Sequence, residues 1–187
     1  MKNIIQILEK IKTQLTLKLI LICGIFSFII YVFFQGLEKD PTLIPSNFIS
    51  KKFPEFTVKP LNGFSVFTKN DLSDSNQKIK IVNFFASWCP PCRIEHPQLI
   101  ELSKVTSLYG IAKKDKKTEL KDWLQKHGNP FEKIGLDNDG FVSINWGVYG
   151  IPETFVIDKN GIIKYRHVGP ILENDLPKIK KIINSLE

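Results

Sequence analysis

The apolar and polar positions of this 187-residue chain divide it into two parts. Residues 19–37 (LILICGIFSFIIYVFFQGL) carry no charge, and as a helix they would span ~28 Å, close to the ~30 Å hydrocarbon core of a bilayer. The run predicts a transmembrane helix. Lys2, Lys10, Lys12 and Lys18 precede it against a single Glu9, and Glu38 and Asp40 follow it. Residues 1–18 are therefore expected in the cytoplasm and the body of the protein beyond the membrane. A cleaved signal peptide is the competing reading. The run is long for such a segment and no small-x-small cleavage site follows it, which favours an uncleaved anchor. Cys23 follows Ile22, not a small residue, and reads as a small buried apolar side chain rather than a lipid attachment point.

Beyond the anchor, residues 38–54 carry three prolines and no sustained periodicity, and they are read as a tether into a domain over residues 55–187. Residues 78–85 (KIKIVNFF) form a β-branched and aromatic run of strand length. Next come Ala-Ser-Trp-Cys-Pro-Pro-Cys and then Ile94, Leu99, Ile100 and Leu102 at helical spacing. A short strand is expected near residues 106–112. A helix is expected over 118–127, with Thr118 at its N-cap and Gly128 at its stop. Such alternation implies a parallel βαβ crossover. Strands over 153–157 and 162–167 should form a hairpin across Asp158-Lys159-Asn160-Gly161, where Asn-Gly supplies positive φ values. An amphipathic helix over residues 172–186 closes the chain.

Composition narrows the chemistry. Lys and Arg total 26 against 19 Asp and Glu, a net charge of +7, but only Arg93 and Arg166 are arginines, and the lysines are spread along the chain. That describes a solvated basic face rather than a nucleic-acid groove. Three cysteines are too few for a disulfide-stapled miniprotein or an all-cysteine zinc site.

Cys89-Pro90-Pro91-Cys92 sits where a buried strand gives way to a helix. With Cys89 at or near the N-cap, its sulfur faces unpaired backbone N–H groups and the positive end of the helix dipole, which favours thiolate. Cys89 is then the nucleophile. Pro90 suits the first helical turn and Pro91 stiffens the loop with it. Cys92, one turn on, is the resolving cysteine and is expected to be the more buried of the two. A permanent disulfide and half of a metal site are the alternatives. His96 would supply only a third ligand, and a disulfide closing so short a loop removes little unfolded-state entropy. The haem-attachment pattern needs His after the second Cys, where Arg93 stands. Trp88 is either core or a shield over the sulfur. Pro97 falls inside the helix and should bend it. Pro152 precedes a strand, where a cis bond would present the Ile151 backbone to an extended substrate. His127 and His167 read as surface or packing residues.

FFASWCPPC at a strand-to-helix turn, Pro97, and a later Ile-Pro before a strand together resemble the thioredoxin superfamily. Cys-x-x-Cys-x-x-Glu, Gly-Asn-Pro-Phe (residues 128–131) and GVYGIPETFVIDKNGIIKYRHVGP (residues 147–170) are similar to the CcmG/DsbE thiol:disulfide interchange proteins of cytochrome c maturation. The resemblance covers residues 53–187. It implies a thioredoxin-like α/β fold, a central mixed sheet flanked by helices, behind a single transmembrane helix in the bacterial inner membrane. It implies a periplasmic protein-disulfide reductase whose catalytic residues are Cys89, Cys92, Glu95 and Pro152, with no cofactor beyond the Cys89–Cys92 disulfide. Thioredoxin has a buried Asp where this chain has Asn83, which makes Glu95 the proton-exchange candidate. Trp88, Pro90, Pro91, Ile151 and Glu153 are the candidate substrate contacts. The implied substrate is apocytochrome c or a haem-ligation component, and the implied electron donor is a DsbD/CcdA-like membrane thiol reductant. A general TlpA/ResA-type reductase and a non-catalytic binding module are the alternative functions. Residues 105–117 are shorter than the family usually has there.

Overall fold

A computed structural model of the chain describes residues 2–37, 48–74 and 79–186, in two compact units divided after Leu43. The described part of the first unit is one helix, α1 (Lys2–Leu37), whose Lys12–Gly36 segment contains an 18-residue window of mean hydropathy 2.5 and is long and apolar enough to cross a membrane. The helix begins well before the apolar run. Cys23 is a free cysteine within the apolar segment of this helix.

The second unit holds a six-stranded mixed sheet. Its strands are β1 (Lys59–Pro60), β2 (Lys80–Phe85), β3 (Ser107–Lys113), β4 (Lys133–Asp137), β5 (Glu153–Ile157) and β6 (Ile163–Val168), in the order β1-β4-β3-β2-β5-β6. Central β2 is buried at every position, as a Val/Ile/Phe-rich strand covered on both faces must be. Strands β2, β3 and β4 are parallel, joined through α3 (Pro90–Ser103) and α4 (Lys117–His127), whereas β5 and β6 run antiparallel. Alternation along the strands separates two cores. One face buries Ile81, Phe85, Leu108 and Val156 against Leu99, Leu102, Leu120, Leu124, Ile179 and Ile183, which belong to α3, α4 and α6 (Leu176–Leu186). On the other, Val82, Phe84, Tyr109 and Phe155 meet Phe53, Phe67, Leu72 of α2 (Lys69–Ser73) and Trp146 beside α5 (Phe141–Asn145). This is a thioredoxin-like fold, as the resemblance implies.

Several local expectations change. The tether expected through residue 54 runs into the domain before its end. Ser50 N–H donates to Ile163 O at 2.8 Å, Ile163 N–H to Lys51 O at 2.9 Å, and Phe53 is buried. Residues 38–47 of that stretch lie outside the described residues. The N-cap of α4 is Lys116 rather than Thr118, which is already in the first turn. In the β5–β6 hairpin only Gly161 has a positive φ, +78°. Asp158 replaces the expected role of Asn160 by accepting from the N–H groups of Asn160 and Ile162, both at 2.9 Å. The last helix starts at Leu176, after a 3-10 turn over Glu173–Asp175. Helix α3 continues through Pro97 to Ser103, and the short 105–117 stretch still accommodates β3 and the start of α4.

Candidate active site

Cys89 is the N-cap of α3, with extended φ −85° and ψ 113°, and Pro90 and Pro91 occupy the first helical turn. The N–H of Cys92 points at the Cys89 sulfur at 3.3 Å, and a disulfide joins the two with Cα atoms 5.3 Å apart. An N–H donor and the helix dipole behind it stabilise a negative charge on that sulfur once the bond is reduced. Burial does not separate the pair as expected. Cys89 is 2% exposed and Cys92 1%, so the nucleophile candidate is almost as covered as its partner.

Topology brings Pro152 to this corner. Phe84 of β2 pairs with Glu153 of β5, so the residues preceding β5 lie beside the end of β2, where Cys89 follows. The Ile151–Pro152 bond is cis, and the Ile151 carbonyl oxygen is 3.7 Å from the Cys89 sulfur. In the disulfide that sulfur has no proton, so this is a contact; a reduced thiol would find an acceptor there. Ile151 and Pro91 are half-buried and Pro90 is exposed. Trp88 is not core: it is 51% exposed, its indole N–H donating to Lys114 O at 3.2 Å.

Glu95 lies one helical turn beyond Cys92 and is fully buried. Asn83 Nδ2 donates to its Oε1 at 2.8 Å and Ile171 N–H to its Oε2 at 3.0 Å. No cation compensates it in this network, and burial pushes its carboxyl up to about 8 despite both donors. Asn83 also donates to Thr154 Oγ1 at 3.0 Å, tying α3, β2 and β5 together through one amide.

Glu153 is somewhere else. Alternation turns it to the opposite face of the sheet, fully buried, where Arg166 Nη2 lies 2.6 Å and Nε 2.7 Å from its Oε2. Burial pushes its carboxyl up and Arg166 opposes that rise. It is inaccessible to a substrate and does not share the network of Glu95. Arg166 also donates to Gly147 O at 2.9 Å and stacks over Tyr149, so the pair supports the loop leading into Ile151. His96 is drawn away as well: its Nε2 meets Gly128 O at 3.0 Å and its ring packs on Trp123. Among the described residues no three His, Cys, Asp or Glu side chains are grouped to hold a metal ion.

One feature of the corner has no motif to announce it. Ser87, buried two residues before Cys89, is gripped by Asp115 and Arg93. Only the parallel register of β2 and β3 brings Asp115 there. Ile171 N–H, 76 residues from Glu95, is equally invisible in the sequence.

The redoxin family model matches residues 49–183. The thiol:disulfide interchange protein DsbE homolog of Paracoccus denitrificans is 41% identical over 152 residues, covering 79% of this chain and 84% of that protein. The chain belongs to the redoxin family, in its DsbE group. The thiol:disulfide interchange protein HelX of Rhodobacter capsulatus is 39% identical over 147 residues, covering 78% and 82%. A crystal structure of a thioredoxin-family thiol:disulfide interchange protein from Chlorobium tepidum TLS superposes with a TM-score of 0.57 at 27% identity, covering 74% of this chain and 99% of that one. As a DsbE-group redoxin with its cysteines in Cys-x-x-Cys spacing, the protein is a thiol-disulfide oxidoreductase.

Proposed function

We propose that this protein works as a membrane-anchored reductase, with α1 in the bacterial inner membrane, its N-terminus cytoplasmic and its domain in the periplasm. The Cys89 thiolate attacks one sulfur of a substrate disulfide, forming a mixed disulfide and expelling the other substrate sulfur as a thiolate. Cys92, as thiolate, then attacks the Cys89 sulfur and releases the second substrate thiolate. Two electrons pass to the substrate, and the protein is left with the Cys89–Cys92 disulfide. No cofactor beyond that pair takes part.

Glu95 exchanges the protons. With its carboxyl raised to about 8 it is largely protonated at neutral pH, and it lies one helical turn from the resolving cysteine. Pro152 and Ile151 offer backbone to the substrate segment, flanked by Trp88, Pro90 and Pro91. Following the DsbE resemblance, the substrate is apocytochrome c or a haem-ligation component that presents it, kept reduced for haem attachment. Electrons reach an oxidising compartment through a DsbD/CcdA-like transmembrane thiol reductant.

The observation that carries this reading is the Cys92 N–H aimed at the Cys89 sulfur from a helix start. Differential alkylation across a redox buffer series tests it: Cys89 should react at pH 7 well ahead of Cys92 and of free cysteine. Protease access from each side of the membrane tests the topology. A Cys92→Ala variant should trap one dominant cytochrome-assembly partner as a mixed disulfide. A scatter of unrelated clients would make the protein a general TlpA/ResA-type reductase, and partner capture unaffected by Cys89→Ser would make it a binding module.

A further inference from the structure

Phe85 of β2 pairs with Ala112 of β3, so the residues just past the two parallel strand ends run side by side. Ser87 sits in that gap with every polar group engaged. Asp115 Oδ2 accepts from its N–H at 2.6 Å and Asp115 Oδ1 from its hydroxyl at 2.8 Å. Arg93, from the first turns of α3, donates through Nε and Nη2 to its carbonyl at 2.9 and 2.7 Å. Cys89 N–H closes on Ala86 O at 3.2 Å, making residues 86–89 a turn with Ser87 and Trp88 at its centre. The Trp88–Lys114 hydrogen bond fixes the other central residue to the same neighbouring segment. Asp115 lies among Lys113, Lys114, Lys116 and Lys117, yet its carboxylate turns inward to Ser87 and is buried.

We propose that Asp115 is a positioning residue for the redox pair, holding the corner so that Cys89 stays at the N-cap with the Cys92 N–H on its sulfur. The inference rests on the reading of Cys89 as the exchanging sulfur. A hydrogen bond to a thiolate is charge-assisted and stronger than one to a disulfide sulfur, so an accurate corner stabilises the reduced form more than the oxidised one. Loosening the corner removes part of that difference. Cys89 then reacts more slowly as a nucleophile, and the pair becomes more strongly reducing.

The test uses the full chain in detergent, equilibrated with glutathione buffers, together with the Cys89 alkylation rate at pH 7. Asp115→Ala should shift the equilibrium toward the disulfide by about tenfold, about 30 mV for a two-electron couple, and slow alkylation by a similar factor. Asp115→Asn keeps one acceptor oxygen but turns an amide N–H₂ toward the second Ser87 donor, and should give an intermediate shift. Ser87→Ala, which removes only the hydroxyl bond, should give the smallest. Variants that melt earlier but retain the wild-type equilibrium and alkylation rate would overturn the proposal, leaving Asp115 a purely structural residue. If Asp115→Ala does not fold, the Asn variant decides by the same two readouts. Wild-type Cys89 reacting no faster than free cysteine would sink the underlying reading instead, whatever the variants do.

Discussion

Glu95 and Glu153 are both fully buried carboxyl groups reached from the same sheet, yet they have opposite solutions to the same electrostatic problem. Glu153 has a guanidinium 2.6 Å away, whereas among the described residues Glu95 has an amide and a backbone N–H as its donors. A buried charge is tolerated when it is paired; an unpaired one is avoided by taking up a proton. The face carrying α3 therefore holds a carboxyl that burial raises to about 8, and the opposite face holds an ion-paired strut. Burial alone does not decide whether a carboxyl keeps its proton. The partner does.

The sharpest way to break this comparison is pH. Glu95 is raised from 4.5 to about 8 in the fold, so its preference for the protonated form favours folding fully below about 4.5 and is lost as pH rises through about 8. Denaturant titration of the oxidised protein should lose about 4 kcal/mol between pH 5 and pH 9 from this group. Glu95→Gln should flatten that dependence; an equally steep curve in the variant would show that the carboxyl is not the source. The same variant, assayed at pH 7 with a protein disulfide substrate, should lose at least about tenfold in turnover while keeping Cys89 alkylation, because only proton exchange is removed.

Arg166→Met attacks the other carboxyl. It leaves Glu153 buried without its cation and should cost about 3 kcal/mol at pH 7, partly recovered by the Glu153→Gln/Arg166→Met double variant. A cost confined to tenths of a kcal/mol would mean the strut is dispensable. The smallest effect is expected from Thr154→Val, which removes an acceptor for Asn83 and should cost about 1 kcal/mol with little change in the pH profile.

Much of this was legible in the sequence, for identifiable reasons. The strand at 78–85, the helix after Cys92 and the β5–β6 hairpin come from local periodicity and turn chemistry, which need no distant partner. Cys89 at a helix start follows from spacing alone. The two glutamates were not separable in this way. Glu153 stands beside Pro152 in the chain, but period-two alternation sends its side chain through the sheet, away from the cysteines. Thr118 looked like an N-cap because Thr favours that place, yet the helix begins two residues earlier, where tertiary packing of Leu120 and Leu124 sets its phase.

Residue order by itself determined the apolar segment near the N-terminus, the Cys-x-x-Cys turn with its helix dipole and the succession of strands and helices, because each depends on neighbours within a few positions. The tertiary structure alone decided which carboxyl lacks a counter-ion, how closely the Ile151 carbonyl approaches the sulfur and which acidic side chain grips Ser87. Those outcomes depend on parallel and antiparallel register between strands far apart in the chain, and on the low dielectric that packing creates around them.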